Sequence, residues 1–365
     1  MIKPYLLFYA FFLIIHALPT VAQEATPAGK AGDIFNKSRK LYGADAVEEA
    51  GLVSIGGIQQ WISVRGRSKD NPVLLFLHGG PGFTVLPVSY YYMRDWEEFF
   101  TVVQWDQRGA GKTYFYNDSE KTQQIFDLDR MVLDTEELID YLKRKYKKRK
   151  IILMAHSFGS LLGVKLAQKH PGWFYAYVGM GQFVDFERSE KYGFEQTLVM
   201  ARKDNNAEAV KALLSIAPFP DPQRTERNFQ NMPIERRWLA TYGGYYWESK
   251  FGSFNDIASM SPDYSAEELQ SRNVAQAYSG KMLWDELANI NLMSSKIFKC
   301  PVVILQGRHD LGTASFLVNE WFSNIKAPSK KIVWFEDASH MVYEEAPGKT
   351  LITLVNDVLP LTFQK

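Results

Sequence analysis

Apolar residues recur along this chain with three different spacings, and the spacings divide it into segments. Two short runs of alternating apolar and polar positions flank Gly56 and Gly57, the second reading IQQWISVRG, and this predicts a β-hairpin. From 72 to 77 the sequence PVLLFL is apolar at every position, as in a strand of a parallel sheet covered on both faces. TVVQW at 101 to 105 predicts another strand, and a helical pattern runs from about Leu128 to Lys148. IILMA at 151 to 155 is a third apolar run, with a helix predicted from Phe158 to Lys169 and a strand, YAYVGM, at 175 to 180. Strands alternating with helices predict an α/β fold with a mainly parallel central sheet flanked by helices. From about 183 to 296 the apolar residues keep helical spacing, with an aromatic cluster, TYGGYYWESKFG, at 241 to 252. Strands return at PVVILQG, 301 to 307, and KIVWFED, 331 to 337. The segment 183–296 therefore reads as a helical cap inserted after the sixth strand, between core segments 51–182 and 297–365, with 23–50 as a polar lead-in.

The first residues have a different character. Lys3 precedes a nearly unbroken apolar run from Tyr5 to Leu18, and the small residues Thr20 and Ala22 follow. Such a pattern predicts an export signal over 1–22, cleaved after Ala22, which would send the protein to the periplasm or outside the cell. The run is shorter than the ~20 residues that span a bilayer, and the alternative reading is an uncleaved N-terminal membrane anchor. A total of 42 Lys and Arg against 41 Asp and Glu gives a formal net charge of +1. No global field would draw nucleic acid or an anionic membrane, so the expected partner is a small peptide or small-molecule substrate. The basic run KRKYKKRK at 143 to 150 closes a helix, where cations oppose the negative end of the helix dipole. The single cysteine, Cys300, excludes an intramolecular disulfide and reads as a buried, inert thiol.

The candidate chemistry centres on IILMAHSFGS, which places Ser157 between an apolar strand and a helix, with Ala155 and Gly159 two residues to either side. Small residues at those positions let strand and helix nearly touch around a sharp turn that presents the serine, the arrangement of a nucleophile elbow. A serine hydroxyl is a poor nucleophile at neutral pH and needs a base, itself oriented by an acid. Among six histidines only His340, in FEDASHMVYEE, stands alone in a loop beyond a late strand. VVILQGRHD delivers Asp310 at the end of the preceding strand, where sites of open α/β sheets lie, and Asp185, Glu336 and Asp337 compete less well for the same role. The chain order Ser157, Asp310, His340 is that of the α/β-hydrolases. HGGPG, His78 to Gly82, directly follows PVLLFL and suits an oxyanion loop, so the amides of Gly80 and Phe158 are the expected oxyanion donors. No HExxH stretch and no cysteine cluster is present, so no metal is expected.

HGGPG, DQRGAGKT at 106 to 113, AHSFGS, GRHD and the ASH loop together resemble the proline iminopeptidase branch of the α/β-hydrolases, over about residues 52 to 182 and 298 to 360. The resemblance implies a Ser157, Asp310, His340 triad under a helical cap, no cofactor, and release of an N-terminal residue, often proline, from small peptides. Asp106 and Arg108 match the family's loop and are read as supports rather than participants. Three departures stand out: Ala155 replaces a glycine, Thr113 replaces a serine, and the cap lacks the acidic motif associated with capture of a substrate's amino group. Glu187, Glu190 and Glu248 are the candidates for that task, with Asp185 beside them, and ordinary surface charge is the competing reading of each. Tyr245, Tyr246 and Trp247 read either as a pocket wall or as cap core. An aminopeptidase is therefore expected first, a carboxylesterase or other small-molecule ester or amide hydrolase second, and a non-catalytic binding member of the fold last.

Overall fold

The computed structural model describes residues 27–363 apart from 222, 224, 225 and 248–253, so the predicted export segment and Glu248 lie outside the described residues. Eight strands form one sheet: β1 (Val47–Ile55), β2 (Ile58–Gly66), β3 (Val73–Leu77), β4 (Thr101–Trp105), β5 (Ile151–His156), β6 (Phe174–Met180), β7 (Val302–Gly307) and β8 (Lys330–Phe335). Their spatial order is β1-β2-β4-β3-β5-β6-β7-β8. β2 pairs antiparallel with β1 and with β4, and every other pairing is parallel. The expected hairpin is present, with Ile55 opposite Ile58 around Gly56 and Gly57.

The unbroken apolar runs are explained by the two covered faces. Leu75, Leu77, Leu153 and Ala155 point into one core, while Leu74, Phe76, Ile152 and Met154 point into another. Successive side chains of a strand face opposite ways, so a sheet covered by helices on both sides needs apolar residues at every position. Because the strand order reverses around β3, the loops after β3, β4 and β5 converge at the carboxyl edge of the sheet.

Between β6 and β7 the chain leaves the sheet and forms a cap of helices. Among the described residues it comprises Phe186–Lys203, Ala207–Ile216, Glu226–Thr241, Phe254–Ser259 and Ala266–Leu287. It has an apolar core of its own, in which Phe194, Leu213, Ile216 and Trp238 are buried.

The lead-in is more structured than its polarity predicts. It contains the helix Pro27–Ser38, and β1 begins at Val47 rather than beyond 50. The apolar signal is weak there because β1 is an edge strand with Glu48 and Glu49 exposed, a charged surface that also discourages pairing with another chain. Phe35 packs against Tyr90 at 4.9 Å, and Arg39 forms a two-pronged ion pair with Asp263 of the cap, Nη1 to Oδ2 at 2.8 Å. The basic run behaves as expected of a helix end, with Lys145 paired to Glu49 and Lys148 donating to the Asp70 carbonyl.

One buried ion pair ties this edge of the sheet together. Arg108 Nε donates to Asp134 Oδ2 at 2.7 Å and Nη2 to the Gly56 carbonyl at 2.7 Å, with both charged side chains fully buried. Gln60 and Arg130 also donate to Asp134, at 2.8 Å each. Removing one partner of such a pair strands the other charge, so Arg108→Met should destabilise the fold by about 3–5 kcal/mol. For a chain of this size that corresponds to a drop of roughly 4–7 °C in unfolding midpoint. The double variant with Asp134→Leu should recover much of the loss; a single variant as stable as the wild type would show that the pair carries no weight.

Candidate active site

Ser157 sits at the turn between β5 and the helix Phe158–Lys169 with φ +53° and ψ −124°, a conformation costing about 1–3 kcal/mol for a residue with a side chain. Its surroundings hold it there. The Ser157 amide donates to the Met180 carbonyl at 2.9 Å, and the Ser160 hydroxyl donates to the Ser157 carbonyl at 2.6 Å while accepting from the Phe183 amide at 2.8 Å. At Gly159 an added Cβ would collide with the carbonyl oxygen of Leu77, so strand and helix approach as closely as the sequence pattern demands. Ala155 is accommodated because its Cβ faces Gly163, which has no side chain of its own.

The structure brings Asp310 and His340 together. His340 Nδ1 lies 2.9 Å from Asp310 Oδ2, and the two residues are 5% and 1% exposed. The carboxylate is held by more than the histidine: Thr313 N donates to Oδ1 at 2.8 Å, while Thr313 Oγ1 and Gln306 Nε2 donate to Oδ2 at 2.7 and 2.9 Å. Gln306 is itself fixed, because its Oε1 accepts from the Gln182 amide at 3.1 Å and only its NH2 remains for Asp310. With a carboxylate on Nδ1, the imidazole carries its proton there and keeps an Nε2 lone pair free to accept another. The His340 ring lies against Gly181, the residue after the Met180 carbonyl that holds Ser157, so the imidazole and the serine share one ledge. No hydrogen bond joins the Ser157 hydroxyl to the imidazole in this structure; such contacts commonly tighten only when substrate is bound.

The loop after β3 passes directly over the serine. A Cβ added at Gly79 would lie 2.9 Å from the Ser157 Cβ and 3.2 Å from His156 Nδ1, so only glycine permits this approach. No hydrogen bond among the described residues uses the amides of Gly80 or Phe158, and Phe158 is the first residue of its helix, where amides have no intrahelical acceptor. The loop is latched to its neighbour: His78 Nε2 accepts from the Gln107 amide at 3.2 Å, and Gln107 Nε2 donates to the His78 carbonyl at 3.0 Å. Burial pushes the His78 imidazole down to about 4, which keeps it neutral for this role. Asp106 accepts from Thr84, from Tyr264 of the cap, and from the Lys112 amide at 2.9 Å. Burial raises its carboxyl to about 6 against those donors. Asp106 thus ties the loop after β3 to the cap, and Arg108 ties the loop after β4 to the hairpin turn.

The aromatic cluster lies at the site. Tyr245 faces the His340 ring edge-on at 5.6 Å, and its carbonyl accepts from the amides of His340 and Met341 at 3.1 and 3.2 Å. Trp247 stacks on His309, and Tyr246 donates to Glu344 at 2.8 Å.

The cap acids separate into three cases. Glu187 is exposed in the first turn of its helix, and Glu248 lies outside the described residues. Glu190, by contrast, is buried and accepts from Arg236 Nη1 at 2.8 Å, and Arg236 also pairs with the buried Glu235. Glu190 is therefore not a surface charge. Burial raises the Glu235 carboxyl to about 7, with Arg236 opposing and Glu190 reinforcing the shift. Tyr245 lies within electrostatic reach of Arg236, Glu235, Glu190 and Asp310. Glu235, Arg236, Gln306, Thr313 and Ser160 carry no sequence signature: Thr313, Gln306 and Ser160 lie within four residues of the groups they hold, yet the pairing of Arg236 with Glu190, 46 residues away, and of Gln306 with the Gln182 amide exists only in the folded chain. No group of three or more His, Cys, Asp or Glu side chains suited to a metal ion occurs among the described residues.

Comparison with known proteins agrees with this geometry. A family model described as the alpha/beta hydrolase fold matches residues 72–347. The chain is 28% identical over 306 residues to the "Probable aminopeptidase YbaC" of Bacillus subtilis, covering 83% of this chain and 93% of that one. It is 22% identical to the proline iminopeptidase of Neisseria gonorrhoeae, covering 85% and 96%. Among solved structures, a proline iminopeptidase-related protein from Thermus thermophilus superposes with a TM-score of 0.61 at 20% identity, covering 84% of this chain and 96% of that one. At that identity the likeness speaks for the fold alone.

Proposed function

The chain belongs to the α/β-hydrolase family, and from that premise we propose that it is a serine hydrolase that removes N-terminal residues from small peptides. The hydrogen-bonded Asp310–His340 pair beside the strained Ser157 carries the hydrolase part of the reading. His340 Nε2 takes the hydroxyl proton as Ser157 attacks the substrate carbonyl. The Gly80 and Phe158 amides receive the developing oxyanion. His340 then protonates the departing amine, and a water activated by the same imidazole releases the acyl group.

The aminopeptidase part rests on the acid pair Glu190 and Glu235, both within electrostatic reach of Tyr245, whose ring faces the base. With both acids ionised the cluster, including Arg236, carries a net charge of −1, suited to a substrate ammonium. An arriving ammonium would hold Glu235 in its ionised form, and below about pH 7 that ionisation has to be driven by binding. A second reading is favoured by one observation: Arg236 already neutralises Glu190. A site balanced in that way also suits uncharged esters and amides.

One panel separates the two. Aminoacyl arylamides, their N-blocked forms and short acyl esters should be compared with the wild type and Glu235→Gln. Loss of the acid should raise KM for free-amine substrates about tenfold, with ester turnover unchanged. Equal turnover of blocked and free arylamides would rule out amine capture and leave the esterase reading.

A further inference from the structure

His156, the residue before the nucleophile, belongs to none of the roles assigned so far. It is 2% exposed, and three catalytic segments converge on it. Its Nε2 lies 3.1 Å from the main-chain carbonyl oxygen of His340. A carbonyl only accepts, so Nε2 carries the proton and donates. Nδ1 is then a bare lone pair, and it faces Gly79 of the oxyanion loop without a hydrogen-bond partner. The ring packs at 4.6 Å against the imidazole of His340 and edge-on against Tyr343 at 5.3 Å.

We propose that His156 is a positioning residue that clamps the backbone of the catalytic base, so that His340 is held at once by its side chain on Asp310 and by its carbonyl on the elbow. The base sits in a loop, where the backbone would otherwise drift. The clamp ties that loop to the last residue of β5, one residue from the serine, and so sets the distance between base and nucleophile from the rigid side of the site. Neutrality is part of the design: a second cation 4.6 Å away would oppose formation of the His340 imidazolium. Burial holds His156 well below the usual histidine range, with His340 and His78 as the titratable groups that reinforce the shift and Tyr343 as the remaining polar neighbour.

The inference rests on the serine hydrolase reading, and its test uses a probe that needs no knowledge of the substrate: the rate at which a fluorophosphonate labels Ser157, measured against pH. His156→Phe keeps a ring and removes the donor, His156→Gln restores an amide N–H at the reach of Nε2, and His156→Asn carries the same amide too short to arrive. A displaced base slows chemistry steeply, so the Phe and Asn variants should label about ten- to a hundredfold more slowly. The Gln variant should keep the wild-type profile and a rate within about threefold of it. If Phe folds poorly, the comparison of Gln with Asn, read alongside circular dichroism, decides alone. Asn labelling as fast as Gln, or both at the wild-type rate, would overturn the clamp. Undiminished labelling of Ser157→Ala would instead overturn the hydrolase reading beneath it.

Discussion

Ser157→Ala should lose ~10^4-fold or more in kcat on any substrate the enzyme turns over, together with all fluorophosphonate labelling. The expected loss is large because the hydroxyl is the only atom that forms the covalent intermediate, and a loss of this size corresponds to about 5 kcal/mol of barrier. The fold should not change. No hydrogen bond among the described residues depends on the Ser157 hydroxyl, and the constraints on its backbone come from the Met180 carbonyl and the Ser160 hydroxyl, which remain. Activity and unfolding midpoint should therefore separate cleanly. A variant that retains wild-type turnover would remove Ser157 from the reaction altogether.

Asp310→Asn should cost about 10^4-fold in kcat with KM little changed. Four donors converge on the carboxylate: Thr313 N on Oδ1, and Thr313 Oγ1, Gln306 Nε2 and His340 Nδ1 on Oδ2. An asparagine has one acceptor oxygen and one NH2. If the oxygen takes the place of Oδ2, the NH2 meets the Thr313 amide; if the NH2 faces His340, it favours the tautomer with its proton on Nε2, which cannot serve as base. Both orientations lose the charge that stabilises the imidazolium. Activity within tenfold of wild type would mean that Asp310 does not orient the base.

These two residues are legible in the sequence for a specific reason. Ser157 follows a strand whose apolar run is unmistakable, and Asp310 and His340 lie just beyond two further strands, so local periodicity places all three at one edge of a parallel sheet. The HGGPG loop is legible on the same ground, and its glycine at 79 has the close approach to justify it. The cap is legible as helical, but its acids are not. Glu190 pairs with Arg236, 46 residues away on another helix, and no spacing rule reaches that far. The lead-in escapes sequence reading because an edge strand with exposed Glu48 and Glu49 does not display the apolar alternation of an internal one.

The places of the candidate nucleophile, acid and base were thus determined by the sequence itself, since a chain that builds β-α-β units must bring the loops after β5, β7 and β8 to the same edge. Only the tertiary structure decided what holds them: the Gln182 amide that turns the Gln306 NH2 toward Asp310 from 124 residues away, the bond from His156 to a carbonyl 184 residues away, and a cluster in which Glu190 pairs with Arg236 and Glu235 is raised to about 7. The physical reason is range. Periodicity is a property of neighbouring residues and survives in the linear text, whereas the partner of a buried polar group, and through burial its charge, exists only once distant segments have packed.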